Sequence, residues 1–468
     1  MKLRLLSFIT ALSCVAAALA AQAPKYIFYF IGDGMGMAQS LSGQLYMRTV
    51  RGDSTPLTMF SFPVASMCTT HSASSPVTDS AAAGTALATG SKTRNGMLGM
   101  TPDSVAVTSI AKELYDRGYG IALVTTVPID DATPGAFYAH VPDRGMYYEI
   151  GRQMAASGYH FLAGSKLRGL TDKAGNPTDL PELFAANGYG IARGVEQVDS
   201  VTEAVKATGK VLLLNPERYR DNHQAGFTID SLPGALTLPD MTLAAIGNMK
   251  RGGHERFFMM IEGGNIDYAG HANDAGTIVK EVINFNQALR HAYDFYLEHP
   301  DETLIVVTAD HETGGMGLGN NTVGYDMRLR YIDSQRISKD SLADYCRSVR
   351  KSRRIYEWED MQDFLRNMLG FWGPVPVTEE QTARLREEFD KSFKSEFPKD
   401  KKTLYNSFNT FTEEVYRVMD SVTGFGFTTN GHSGGLVPVY AVGVGAEEFI
   451  PAADNIDIPA RIRRIAGI

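Results

Sequence analysis

The chain has 468 residues, 44% of them hydrophobic and 21% charged, with a formal net charge of -8 at pH 7. Those proportions are globular and exclude collagen, coiled coil and wholesale disorder, while the acidic balance argues against a nucleic-acid-binding surface. Three cysteines are too few for a disulfide scaffold, so the core must come from apolar packing, which a chain this long can supply.

Residues 1–20 read as an export signal. Lys2 and Arg4 form a positive start, an apolar run follows from Leu5, and Ala18-Leu19-Ala20 fits a small-x-small cleavage site. The protein is therefore expected to be periplasmic or secreted, beginning near Ala21. Cys14 makes a poor lipoprotein box, because Ala11 stands where a larger aliphatic is usual and more apolar residues follow. No second apolar run is long enough to span a bilayer, so no membrane span is expected after signal cleavage. Cys68 and Cys346 remain in the mature chain, and the sequence is compatible with both pairing and free thiols.

Short apolar runs that end in glycine and polar residues then recur. Tyr26–Ile31 leads into Gly32-Asp33-Gly34, Ile121–Val124 leads to Asp130-Asp131, Phe257–Ile261 leads into Glu262-Gly263-Gly264, and Leu304–Val307 leads to Asp310-His311. A further run, Pro438–Val444, follows His432. Near-continuous runs of this kind fit strands buried on both faces of a parallel sheet. Between them, Ile278, Val282, Phe285, Leu289, Ala292 and Phe295 repeat at helical spacing. The pattern predicts an α/β fold, a three-layer sandwich around a mostly parallel sheet. Residues from about 320 to 422 are dense in charge and mostly helical in pattern. They read as an insertion into one domain spanning 21–468, folding over one edge of the sheet, with Trp358 and Trp372 in a small core of its own.

The acidic residues and histidines stand at the predicted strand ends, where ligands collect in such sheets. Asp33 follows the first run. Glu262, Asp267 and His271 follow another, Asp310-His311 a third, and His432 lies in Asn430-Gly431-His432-Ser433-Gly434-Gly435. Any one Asp after a strand is usually a turn or cap residue. Four such clusters together point to a site for several metals, and mixed carboxylate and imidazole ligands suit Zn²⁺. A fifth element, Thr78-Asp79-Ser80-Ala81-Ala82-Ala83, reads as a helix start. Either Ser80 or Asp79 is there a plain N-cap, or Ser80 is a nucleophile whose alkoxide a metal can hold. Gly32-Asp33-Gly34-Met35-Gly36 has the wrong spacing for a dinucleotide fingerprint, and Gly84–Thr93 does not fit a nucleotide phosphate loop. His71, His140, His160, His223, His254, His291 and His299 lie in no ligand motif and read as surface or core residues.

In this order, Gly32–Gly36, Thr78–Ala82, Asp131-Ala132-Thr133-Pro134, Arg144, Glu262–His271, Thr308–His311 and His432 resemble the alkaline phosphatases, metal-dependent phosphomonoesterases. The resemblance implies a phosphoserine at Ser80 and retention at phosphorus through two in-line displacements. It implies two zinc ions, one held by Asp267, His271 and His432 and one by Asp310 and His311, with Ser80 at the metals. Asp33 would bridge to one magnesium, completed by Thr133 and Glu262 with Asp131 holding its water. Arg144 would grip two oxygens of the phosphate monoester. Tyr268 stands where many relatives carry Lys or His beside phosphate. A phenol there offers a hydrogen bond but no positive charge, so weaker phosphate binding is expected than with lysine. The insertion lies where relatives place a variable crown, and a homodimer is compatible with the resemblance. The alternatives are a phosphodiesterase or sulfatase of the same superfamily, and a phosphate- or metal-binding protein without activity. Against them stand the third-metal set, Arg144, and a serine followed by alanines.

Overall fold

The computed structural model describes residues 23–352, 356–394, 400–402 and 407–468. The predicted export signal, residues 1–20 with Cys14, lies outside the described residues.

The centre is a nine-stranded sheet. In chain order its strands are β1 (Tyr26–Ile31), β2 (Val64–Cys68), β3 (Gly120–Thr125), β4 (Phe161–Ala163), β5 (Tyr189–Arg193), β6 (Lys210–Leu214), β7 (Phe257–Glu262), β8 (Thr303–Thr308) and β9 (Val437–Gly443). They lie in the order β2-β9-β8-β1-β7-β3-β4-β6-β5. Every residue of β3, β7 and β8 is buried, which is why these strands read as unbroken apolar runs instead of alternating ones. Helices cover the sheet. The longest, Ala275–Glu298, buries Ile278, Val282, Phe285, Leu289, Ala292 and Phe295, the face expected from their spacing.

β9 departs from the expected parallel arrangement: it runs antiparallel to both β8 and β2. The reversal serves the site. His432 precedes its strand, whereas Asp33, Glu262 and Asp310 follow theirs, so only a strand of opposite direction brings all four to one end of the sheet.

A second apolar core, separate from the main one, includes Leu342, Cys346, Trp358, Leu365, Leu385, Phe389, Phe411 and Val415. It is formed by the helices Lys339–Lys351, Trp358–Leu369, Glu379–Phe393 and Thr410–Thr423. The chain leaves and returns through a two-stranded pairing of Gly317–Leu318 with Phe425–Gly426. The first of these helices meets the segment after the helix that follows β7. Asp274 accepts from the backbone N–H of Lys339 at 2.9 Å, and Lys339 Nζ donates to the Ala272 carbonyl at 2.7 Å. The contact is therefore with the C-terminal end of the helix Asn265–Ala272 and the residues just after it. Cys68 and Cys346 are both buried free thiols, one in each core. Among the described residues no helix is long and apolar enough to cross a membrane.

Candidate metal centre and active site

The expected ligands converge at one end of the sheet. Asp33, Glu262, Asp267, His271, Asp310 and His311 are all buried. Gly34 permits the approach. Its φ is +70°, and a Cβ there would lie 2.9 Å from Asp267 Cα, so a larger residue would force the β1 turn away from the centre.

The imidazoles are oriented by their second nitrogens. His271 Nδ1 lies 2.5 Å from the Asn430 carbonyl and His432 Nδ1 2.8 Å from that of Thr78. Both Nδ1 atoms must therefore carry protons, so in the neutral rings both Nε2 atoms are lone-pair donors. Thr313 Oγ1 donates to Asp267 Oδ1, so it accepts from His311 Nδ1 at 3.2 Å, and His311 Nε2 is likewise a lone pair. These lone pairs crowd together. His271 Nε2 and His432 Nε2 are 3.1 Å apart, and His271 Nε2 is 3.4 Å from Asp267 Oδ2. Two acceptors in contact call for a cation beside them. Glu312 is no ligand here: Gln39, Ser433 and the backbone N–H groups of Gly315 and Met316 hold its carboxylate, which fixes the segment carrying His432.

The carboxylates make the same demand. Asp33 Oδ1, Asp267 Oδ2, Asp310 Oδ2, both oxygens of Glu262 and Thr133 Oγ1 are buried without a hydrogen-bond partner. Buried anions of this kind are tolerated only when paired or coordinated. Burial, reinforced by Asp310, Asp267 and Glu262, pushes Asp33 well above the usual carboxylate range. Burial and the neighbouring Asp310 and Asp131 push Glu262 up to about 8. Burial and Asp267 push Asp310 up to about 7. For Asp267 burial acts upward, but His271, His432 and His311 outweigh it and hold the carboxyl below its usual range. Two sets of potential ligand atoms lie within 4.8 Å of one another: Asp267, His311 and His432, and Asp33, Asp310 and His311. The donor set therefore fits divalent cations, with His311 between the two sets and His271 in contact with the first.

Ser80 is buried at the first turn of the helix Ser80–Thr89. It is not the cap. Asp79 is, accepting from the Ala82 N–H at 2.9 Å, and this leaves Ser80 Oγ facing His311 Nε2 at 3.2 Å. Gly84 lets this helix close on the turn that holds Thr133, since a Cβ there would sit 3.1 Å from Thr133 Cα.

Arg144 bridges two carboxylates, Asp79 Oδ2 at 3.3 Å and Asp131 Oδ1 at 3.1 Å. The other oxygen of Asp131 meets a residue that the sequence did not single out. Arg168 Nη2 lies 3.1 Å from Asp131 Oδ2 and 2.8 Å from Tyr268 OH, while its Nη1 donates to Tyr147 OH at 2.7 Å. Tyr268 OH in turn donates to Asp131 Oδ2 at 3.2 Å. A guanidinium therefore lies beside the phenol at 268, paired with Asp131. Burial acts to raise Asp131, but Arg168 and Arg144 outweigh it and keep the carboxyl below its ordinary range. Asp130 holds the backbone of this loop, accepting from the N–H groups of Arg168 and Gly169. Thr313 and Asn430 were also missed. They lie within two residues of His311 and His432, and that adjacency is the only sequence signal for them. For Arg168 the signal is weaker still: it stands five residues beyond a three-residue strand.

Above these groups lies a cavity of ≈ 760 Å³ lined by Asp79, Arg144, Tyr268 and His432, with Asp340 and Asp344 of the helix Lys339–Lys351 on its far wall.

A family model described as alkaline phosphatase matches residues 24–167 and 219–468. Alkaline phosphatase 4 of Bacillus subtilis is 29% identical over 455 residues, covering 92% of this chain and 87% of that protein. Alkaline phosphatase 3 of the same organism is 26% identical over 447 residues, covering 94% and 88%. The crystal structure of a cold-active alkaline phosphatase from a psychrophilic Shewanella sp. superposes with a TM-score of 0.78 at 27% identity, covering 94% of this chain and 99% of that one. The family-model match takes in seven of the nine strands and every segment that carries the convergent ligands, and the chain belongs to the alkaline phosphatase family of hydrolases.

Proposed function

We propose that this phosphomonoesterase is exported and works through a phosphoserine at Ser80, with two zinc ions and one magnesium as cofactors. The observation that carries the reading is Ser80 Oγ, 3.2 Å from His311 Nε2, next to buried carboxylate oxygens that have no partner. Asp267, His271 and His432 would hold one zinc and Asp310 and His311 the other, with Asp33 between this centre and a magnesium completed by Thr133 and Glu262. When bound, the metals lower the pKa of a coordinated oxygen and stabilise charge on the oxygens entering and leaving phosphorus.

Ser80 Oγ attacks phosphorus as the bond to the alcohol oxygen breaks. Water then attacks on the same line, and the Ser80–phosphorus bond breaks. The N-terminal end of the Ser80–Thr89 helix favours the phosphate's charge. Asp79 and Asp131 hold the Arg144 guanidinium in place. Arg168 and Tyr268 brace Asp131 from its other oxygen, so Asp131 stays ionised beside the magnesium ligands. Residues 320–422 are read as an insertion in a single catalytic domain, framing the cleft for the alcohol.

Arg144 supplies a test of the monoester reading. A monoester dianion offers two free oxygens to a planar fork, whereas a diester carries less charge. Arg144→Ala should cost kcat/KM for p-nitrophenyl phosphate about ten- to a hundredfold per bond lost, and cost the bis-ester less. Equal losses on both would show that Arg144 does not discriminate by charge. Export is checked by the mass of protein recovered outside the cytoplasm. A chain beginning at Ala21 is expected, and an intact Met1 on the exported protein would rule cleavage out.

A further inference from the structure

Three nitrogen-bearing side chains, Lys166, Arg168 and His223, cluster where the active-site cleft opens into a second cavity of ≈ 950 Å³. Arg168 and His223 line both cavities, so the two spaces adjoin at these residues. Lys166 is half-buried, and its ammonium donates to the Asp221 carbonyl at 3.0 Å. Among the described residues it forms no ion pair with a carboxylate. The His223 ring nitrogens form no hydrogen bond among the described residues, while the His223 backbone carbonyl accepts from Ser165. Arg168 Nε is buried without a partner. These groups repel one another: burial, then Lys166 and Arg168, push His223 down to about 4, and burial and Arg168 lower Lys166.

Arg168 is paired with Asp131 at 3.1 Å, and the exposed Asp221, which lines both cavities, lies near enough to Lys166 to favour its charge; the other acids of the second cavity's wall are held elsewhere. Glu149 is held by Arg152 and Gln153. Asp172 accepts from three N–H groups of its own loop. On the same wall Arg193 pairs with Glu217, and Arg220 with Glu217 and Asp221. The floor is apolar, with Leu167, Leu170 and Leu214.

We propose that the junction of Lys166, Arg168 and His223 is a second anion subsite, taking a phosphate carried by the alcohol portion of the substrate. The preferred substrates are then bisphosphorylated small molecules, one phosphate over Ser80 and the other at the junction, with an apolar or polyol spacer between. The inference rests on the phosphomonoesterase reading. Donors without a carboxylate bonded to them, the half-buried Lys166 ammonium and the His223 ring beside Arg168, are what a second phosphate can use, and an uncharged alcohol would gain nothing from their charge.

The test compares alkanediol bisphosphates of increasing chain length with the matching hydroxyalkyl monophosphates, using metal-loaded full-length enzyme. The wild type should favour the bisphosphate in kcat/KM at one preferred length, beyond the statistical factor for two equivalent phosphates. Lys166→Met and His223→Gln should each reduce that preference, Lys166→Met by about tenfold, and leave the monophosphate unchanged. Lys166→Arg should retain it. No preference at any length, or a preference that survives Lys166→Met, would overturn the subsite. Equal losses on both substrates would also overturn it, since the residue would then act through the fold. Hydrolysis of neither substrate by the wild type would instead refute the phosphomonoesterase reading, and the subsite with it.

Discussion

Ser80→Ala is expected to lower kcat/KM toward phosphate monoesters by about 10³-fold or more while leaving the thermal midpoint unchanged. The separation follows from local structure. Asp79, not Ser80, caps the helix, and its carboxylate also accepts from the Gly96 N–H. Alanine is the best helix former, and Ala81, Ala82 and Ala83 already follow. What disappears is one buried hydroxyl facing His311. A fall in the midpoint large enough to unfold the variant at assay temperature would mean that Ser80 is structural, and retained turnover would place the nucleophile elsewhere.

Metal removal should be nearly as severe, with activity falling below about a hundredth and returning with Zn²⁺ and Mg²⁺. It should also cost stability in a pH-dependent way. In the metal-free protein, Asp33, Glu262 and Asp310 hold protons well past their ordinary range. The folded state then binds more protons than the unfolded chain above about pH 4. Stability must therefore fall as pH rises from about 4 towards the value of about 8 at which Glu262 ionises. Cations replace those protons, so the loaded protein should lose this slope and gain about 2.7 kcal/mol when free metal is a hundredfold above Kd. Melting curves of both forms across this range check it. A metal-free protein as stable at pH 8 as at pH 5 would mean that the carboxylates are not crowded as described.

The legible parts of the fold were those where local pattern and tertiary burial agree. β1, β3, β7 and β8 sit in the middle of the sheet and are apolar throughout, so their runs stand out. β2 is an edge strand with three of its five residues at least partly exposed, β4 has only three residues, and β5 is the opposite edge. None carries a run long enough to announce itself. The direction of β9 was not legible either, because strand polarity is set by where the chain re-enters the sheet and not by the residues of the strand. The same division holds in the site. Ligand residues flanked by glycine at the ends of central strands were visible one by one. Arg168 was not, because its role depends on pairing with Asp131 and Tyr268 from distant segments. That pairing sets a guanidinium beside Tyr268 that the local sequence does not announce.

The central claim is that Ser80 carries the phosphoryl group, and the most direct measurement is to trap it. Metal-loaded enzyme is mixed with labelled phosphate at mildly acidic pH, quenched in acid and digested, and the labelled peptide is sequenced. Label on the peptide containing Ser80, absent in Ser80→Ala, is the predicted result. Label on any other residue, or full turnover with no covalent label under conditions that slow the second displacement, would contradict it.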